Sequence, residues 1–576
     1  MITGSYDRSG KLSASAPELN ASDGSRAEAA NVVLPDWIAA ICLTGLGAFI
    51  AWYLAGGLPA IGIDDAAITR SYSENIANGL GYVYNAGGER VEGSTSFLWT
   101  MLLALLYALT STPEVPILLL TGALSAAAVF CALRIARRLA GRTGAPASLT
   151  VAVQCVALIA SPGYFLWSVW TMMELALWSC MTLMMVWQLV RAVEAEGDAG
   201  APGLWLFLPA LALPLSRPEG IAVAAGLLCF AAVICRRWRR SLLLALVLAL
   251  VSFAAVTLFR LAYFGQPFPN TFYAKVSSDR IQDITDGAKY AISYALGAPF
   301  VAVLLAAWAA AVIWAVPRAL RGQPGSRGLL IVAAAIAGFL AVYACLGGDH
   351  FVLWRFYQPV TPLLPVALGI GLSPWLGALS GGASVSGAKW AVPALAAAAA
   401  CALLGWMHYY QARFDVAKEF TLNGAGIDFG NYLDTVSPRP SIGIGPAGGI
   451  ALAYDGYIYD LLGLNWVEMA HANPVKTGMR NHASFDEPTF WKHAPDVLAM
   501  FERGCAEGRE GRTLVVPTEA YDGMLASSRF RDHYRPVLFQ DPARCWPGFA
   551  TPAWLAQVAE DPGITPLAWS DVDGKG

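Results

Sequence analysis

Charge is what this chain has least of. Only 14% of its 576 residues are Asp, Glu, Lys or Arg, against 56% hydrophobic, and mean hydropathy is +0.50. Ordinary soluble domains of this length do not show that balance, so the chain reads as a polytopic membrane protein. An excess of basic charge is also missing. Thirty-eight Lys and Arg against 41 Asp and Glu leave a net charge of -3, with no basic stripe for a nucleic-acid partner. The six histidines and ten cysteines lack metal-ligand spacing, so no metal site is expected. Neither a P-loop nor a dinucleotide fingerprint occurs, which argues against an ATP-driven pump or a soluble-nucleotide enzyme.

Eight of the cysteines lie in or beside apolar runs and read as small buried apolar residues. Cys505 and Cys545 lie instead in the polar C-terminal third, where an oxidising compartment would allow them to pair. Residues 1–35 are rich in Ser, Ala, Gly and charge, without the basic-then-apolar order of a signal peptide. They are expected to form a disordered cytoplasmic tail.

What is abundant is long apolar sequence. The first run, 36–57, can cross a bilayer, and further runs follow at 97–112, 114–138, 147–166, 168–190, 203–216, 221–235, 241–263, 297–316, 328–346, 357–377 and 388–407. Arg and Lys clusters mark cytoplasmic ends, here at Arg134/Arg137/Arg138/Arg142, Arg191, Arg236/Arg237/Arg239/Arg240 and Arg318/Arg321/Arg327. Parity then requires run 97–112 to be a re-entrant or juxtamembrane helix and leaves about eleven spans. The domain expectation is a tail at 1–35, a membrane domain at 36–407 whose first extracytoplasmic loop is 58–96, and a C-terminal extracytoplasmic domain at 408–576. Short β-branched stretches such as "RPVLFQ" predict a mixed α/β or mainly β fold for that last part.

The same parity gathers the polar clusters on one side. They are Asp64-Asp65, Glu174, "LSRPEG" with Arg217 and Glu219, "GQPFPNTFYAK" with Asn270, Tyr273 and Lys275, and "GGDHFVLWRFYQP" with Asp349, His350, Trp354 and Arg355. Ionisable groups near membrane depth are costly and mark a cavity or substrate path; loop residues at helix ends are the plainer explanation. A carboxylate against an apolar wall suits a general base. Lone Arg and Lys residues suit a phosphate, or a neighbouring carboxylate or lipid headgroup. Adjacent aspartates point apart. Asp65 is placed to cap a helix starting at Ala66, which leaves Asp64 for chemistry.

These stretches, with "IDDAAITRSYSENIANGLGYVYNAGGERVEGSTSFLWT", "WTMMELALW" and "YDGYIYDLLGLN", resemble the GT-C superfamily of membrane glycosyltransferases, and within it the AftB-like arabinofuranosyltransferases of actinobacteria. The resemblance implies transfer of D-arabinofuranose from a polyprenyl-phosphate donor, decaprenyl-phosphoryl-arabinose, to cell-wall arabinan on the outer face of the plasma membrane. It implies catalysis at Asp64 or Asp65, donor-phosphate contacts at Arg217, Lys275, His350 and Arg355, and substrate contacts at Glu174, Glu219, Asn270, Asp349, Tyr273 and Trp354. Membrane lipids, the donor and a glycan acceptor would be the partners, with the chain acting as a monomer and without a cofactor or obligatory metal. GT-C relatives with other sugars or acceptors, a lipid-linked sugar flippase and a non-enzymatic scaffold are the alternatives. A flippase should carry mid-bilayer charges and matched halves, which this sequence does not display.

Overall fold

The computed structural model describes residues 21–195, 202–276, 279–380, 386–472, 485–501, 506–508, 511–515 and 520–573. The chain is an α-helical polytopic membrane protein with a small C-terminal sheet domain. Helix α1 (Ala21–Leu54) starts ahead of position 36, and its apolar part is Leu34–Leu54. The polar α2 (Asp64–Ala77) and the short apolar α3 (Phe97–Leu109) follow, packed on each other. Next come α4 (Glu114–Thr143), α5 (Ala147–Ile159), α6 (Pro162–Phe165) and α7 (Leu175–Val193). The middle of the chain forms α8 (Leu204–Ser216), α9 (Gly220–Ile234), α10 (Arg239–Phe264) and α11 (Asn270–Lys275). Then follow α12 (Arg280–Gly297), α13 (Pro299–Leu320), α14 (Ser326–Cys345), α15 (Pro365–Ser380), α16 (Ser386–Gln411) and α17 (Arg413–Asp434).

Among the described residues six helices are long and apolar enough to cross a membrane, or seven if α5 and the helical stretch Pro162–Trp170, which begins with α6, form one bent span. The 26 residues of α10, at about 1.5 Å each, exceed the roughly 30 Å hydrocarbon core. Helices α8 and α9, with 13 and 15 residues, fall short of it. Run 147–166 is broken by a 70° bend, with Pro162 opening the second piece, since proline has no N–H to continue the ladder. Run 357–377 is likewise composite, a 3-10 helix over Arg355–Leu363 followed by α15.

After α17 the chain builds a six-stranded mixed sheet from β1 (Ile442–Ile444), β2 (Ile458–Asp460), β3 (Val497–Ala499), β6 (Arg535–Gln540), β7 (Cys545–Ala550) and β8 (Ile564–Pro566). Its spatial order is β2-β1-β3-β7-β6-β8. The β1 pairings with β2 and β3 are parallel, and those of β3 with β7, β7 with β6 and β6 with β8 are antiparallel. The intervening β4 (Ala506–Gly508) and β5 (Gly511–Val515) join β9 (Val572–Asp573) in a second, three-stranded sheet. Fully buried Phe429 of α17 packs against Phe539 and Trp546 of the larger sheet, so α17 is both the connection to the membrane helices and part of this domain's core. Cys545 is disulfide-bonded; Cys505, its expected partner, lies outside the described residues.

The first loop is tied to the sheet domain at several points. Asn85 donates to the Ile458 carbonyl and accepts from its N–H, both at 2.9 Å. The Tyr72 hydroxyl donates to Asn465 at 3.1 Å, and the Val467 N–H to Glu89 at 2.9 Å. The block "YDGYIYDLLGLN" is thus largely the docking surface for residues 58–96.

Candidate functional site

Asp64 and Asp65 open α2, and neither caps it. The helix begins at Asp64, its N-cap is Ile63, and no side-chain capping bond forms, so a cap by Asp65 on a helix starting at Ala66 is not what the fold uses. The Asp64 side chain points into the sheet domain, accepting from the Gly449 N–H at 2.8 Å and the Gly448 N–H at 3.0 Å. Only glycine fits there, because a Cβ on residue 448 would lie 1.8 Å from the Asp64 carbonyl oxygen. Burial is the main cause that pushes the Asp64 carboxyl up to about 7, the two N–H donors opposing it. Asp65 is more open, at 24% side-chain exposure, and sits 3.3 Å from Arg355 Nη1.

Arg355 is aimed by an unusual stretch of backbone. Gly347, Gly348, Leu353 and Trp354 all have positive φ, between 49° and 92°. Left-handed geometry at Leu353 and Trp354 costs of order 1–3 kcal/mol each. The chain thereby folds back so that Arg355 grips Asp349 with two bonds, 2.7 Å from Nε and 3.0 Å from Nη2. A fork of this kind is the strong form of the Arg–carboxylate pair. The guanidinium also lies over Phe351, at 4.2 Å, and Phe356, at 4.8 Å.

Arg217 is the C-cap of α8, and Pro218 follows it in the break before α9 begins at Gly220. It pairs with Glu174 through Nη1 and with Glu219 through Nε, and the Tyr343 hydroxyl donates to Glu219 at 2.9 Å. Its Nη2 takes no partner among the described residues. Lys275 ends α11, half-buried, with no ion pair or hydrogen bond among the described residues. Asn270 holds that helix in place by donating to the carbonyls of Gly463, at 2.8 Å, and Leu464, at 3.1 Å.

These groups line a cavity of about 310 Å³ that holds Asp65, Glu174, Arg217, Glu219, Lys275, Asp349 and Arg355 beside the apolar Phe268, Phe272, Val276, Leu346 and Phe356. Four carboxylates face three cations, and the two arginines are already paired. Among the described residues that line the cavity, Lys275 is the cation without a carboxylate partner. A second cavity, of about 600 Å³, lies between α2, α17 and the sheet domain and contains Asp64, Asp65, His350, Lys275 and Glu419. The two share Asp65, Ile68, Lys275 and Leu464 as a common wall.

Nine of the twelve residues singled out in the sequence thus meet at the two cavities. Three lie elsewhere. Asn270 is committed to backbone carbonyls, Tyr273 stacks on His471 at 4.4 Å, and Trp354 stacks on His408 and lines a separate pocket. Sequence reasoning passed over Glu419, which carries no motif, and Arg260, whose bidentate pair with Glu92 at 2.7 and 3.0 Å is buried. Among the described residues no group of three or more His, Cys, Asp or Glu is disposed to hold a metal ion.

The fold and site define a polytopic membrane protein with a charged, two-chambered site between its helices and a sheet domain. No protein-family profile matches the sequence, and no curated protein matches it. Solved structures do. ArnT from Cupriavidus metallidurans bound to undecaprenyl phosphate superposes with a TM-score of 0.55 at 13% identity, covering 88% of this chain and 97% of that one. The same protein in its apo state gives 0.52 at 15% identity, covering 92% and 98%. The chain shares the ArnT fold over nearly its full length.

Proposed function

We propose that this protein is a membrane glycosyltransferase that uses a polyprenyl-phosphate sugar, with D-arabinofuranose as the sugar and a cell-wall arabinan as the acceptor. The observation that carries the reading is the common wall of the two cavities, where a carboxylate, Asp65, and a cation with no ion pair among the described residues, Lys275, face both chambers. The shared fold adds support, because ArnT is a GT-C glycosyltransferase that has been seen with undecaprenyl phosphate. The sugar and acceptor rest on the resemblance of the quoted sequence blocks.

In this reading the donor phosphate lies in the smaller cavity, against Lys275 and the unoccupied Nη2 of Arg217. An acceptor hydroxyl enters from the larger one. Its oxygen forms the new bond to the anomeric carbon, the bond from that carbon to the phosphate oxygen breaks, and the polyprenyl phosphate leaves with the electron pair. Asp65 takes the hydroxyl proton, and Arg355 orients Asp65. Asp64 acts through position, holding α2 to the sheet domain. Because cations already face a leaving group that is itself a phosphate, the step needs no obligatory divalent metal, and a chelator should leave the rate unchanged. The site and the sheet domain lie on the extracytoplasmic face of the plasma membrane, and the protein works as a monomer.

The test is transfer by purified protein from polyprenyl-phosphoryl arabinofuranose to an arabinan oligosaccharide. Asp65→Asn should lower the rate by about 10²–10⁴, the range for loss of a general base, while undecaprenyl phosphate still binds. Full activity in Asp65→Asn would remove catalysis from this residue. Absence of transfer by the unaltered protein would remove the reading itself.

A further inference from the structure

Of the four carboxylates that line the larger cavity, Asp64, Asp65 and Glu419 lie near enough to interact, and their commitments differ. Asp64 is spent on the N–H groups of Gly448 and Gly449. Asp65 is engaged with Arg355. Glu419, in the second turn of α17, makes no hydrogen bond or ion pair among the described residues, yet it is half-buried on the cavity wall and close enough to feel both aspartates. Removing a carboxylate from water without giving it a partner is costly, so a fold that keeps one there leaves its accepting capacity for something that enters.

The rest of the wall indicates what enters. Trp167, Phe351 and Tyr521 contribute rings, and Gly445, Pro446 and Ala447 contribute a stretch of loop. Rings beside carboxylates suit a sugar, whose C–H faces lie on aromatic surfaces while its hydroxyls donate to acidic oxygens. Four carboxylates, Asp64, Asp65, Asp415 and Glu419, stand against two lysines, Lys275 and Lys418, with His350. That balance disfavours an anionic acceptor such as a phosphorylated glycan.

We infer that Glu419 is an acceptor-binding residue, which receives hydrogen bonds from the hydroxyls of a neutral sugar chain seated in the cavity between α2, α17 and the sheet domain. This rests on the glycosyltransferase reading and adds to it the residue that holds the acceptor. Glu419 sits on the helix that joins the membrane helices to the sheet domain, so the acceptor would be held by the element that ties the two parts of the chain together.

The experiment measures acceptor and donor KM separately on the full-length protein in detergent, with polyprenyl-phosphoryl arabinofuranose and a neutral arabinan oligosaccharide. Glu419→Gln should raise the acceptor KM about tenfold or more, as expected for losing a charge-assisted hydrogen bond. The donor KM should stay within about twofold, and undecaprenyl phosphate binding should persist. Glu419→Asp, which keeps the charge but shortens the reach, should fall between the two, and it decides the matter if the Gln variant does not fold. An unchanged acceptor KM, or equal losses for donor and acceptor, would overturn the inference, as would better transfer to a phosphorylated oligosaccharide. A parallel calorimetric titration with the oligosaccharide alone separates the two levels. Binding that depends on Glu419 without any transfer would sink the enzymatic reading and keep the inference, whereas absent or Glu419-independent binding would sink the inference even if transfer occurs.

Discussion

Asp64 and Asp65 are neighbours in sequence with unlike surroundings, and the difference has a measurable consequence. Burial holds Asp64 up at about 7, Asp460 at about 6 and Glu419 at about 7. Each raised value means that the folded chain binds more protons than the unfolded one between about pH 4 and 7. Stability therefore falls as pH rises through that window and levels off above it. The melting temperature should decline from pH 5 to pH 8, and Asp64→Asn should flatten part of that decline; a flat profile in the unaltered protein would contradict the assignment. Lys275 belongs to the same scale. Lys275→Met keeps the stem that lines both cavities and removes the charge, so the donor KM should rise by about tenfold or more, with the melting temperature nearly unchanged.

At the scale of elements, the contact between α2 and the Gly448–Gly449 turn decides how the loop, the membrane helices and the sheet domain fit. The turn begins a 3-10 helix over Gly449–Leu452 that packs on both α2 and α17. Asn423 of α17 reinforces it from behind, donating to the carbonyls of Ile61 and Gly62, both at 3.0 Å. Gly448→Ala would push a methyl into the Asp64 carbonyl, and backbone cannot yield as a flexible side chain can. A loss of about 1–3 kcal/mol, the range for overpacking, should appear in chemical denaturation together with faster proteolysis between α17 and β1. Wild-type stability in that variant would mean that the two surfaces are not held as described.

At the scale of the molecule, α4 serves as a ruler. Its Glu114 end pairs with Arg70 of α2, and its Arg134 and Arg137 hold the buried Asp36 of α1 at 3.0 and 2.6 Å. From Glu114 to Arg142 is 28 residues, or about 42 Å along a helix, so the arginine-rich end and the two cavities lie at opposite ends of the bundle. The proposed topology, with the sheet domain outside, is the one the positive-inside rule favours for that arrangement. A reporter fused after residue 576 that is active only in an extracytoplasmic compartment should be active, and one fused in the 321–325 turn should not; the reverse pattern would invert the proposed topology.

Helix periodicity, run lengths and arginine placement were legible in the sequence because each follows from the local cost of putting a residue in lipid. That is why the membrane class, most helix positions and the convergence of Asp65, Arg217, Lys275, Asp349 and Arg355 could be anticipated. The unlike surroundings of the two aspartates could not, because those of Asp64 depend on Gly448 and Gly449, nearly 400 positions away. Nor could the hydrogen bonds that commit Asn270, the ring stacking of Tyr273 and Trp354, or the place of Glu419 on the cavity wall. Burial and hydrogen-bond commitment are properties of the assembled surroundings. The linear chain determined which side chains were present at one end of the bundle, and the tertiary structure alone decided which of them were already satisfied and which stayed open to a ligand.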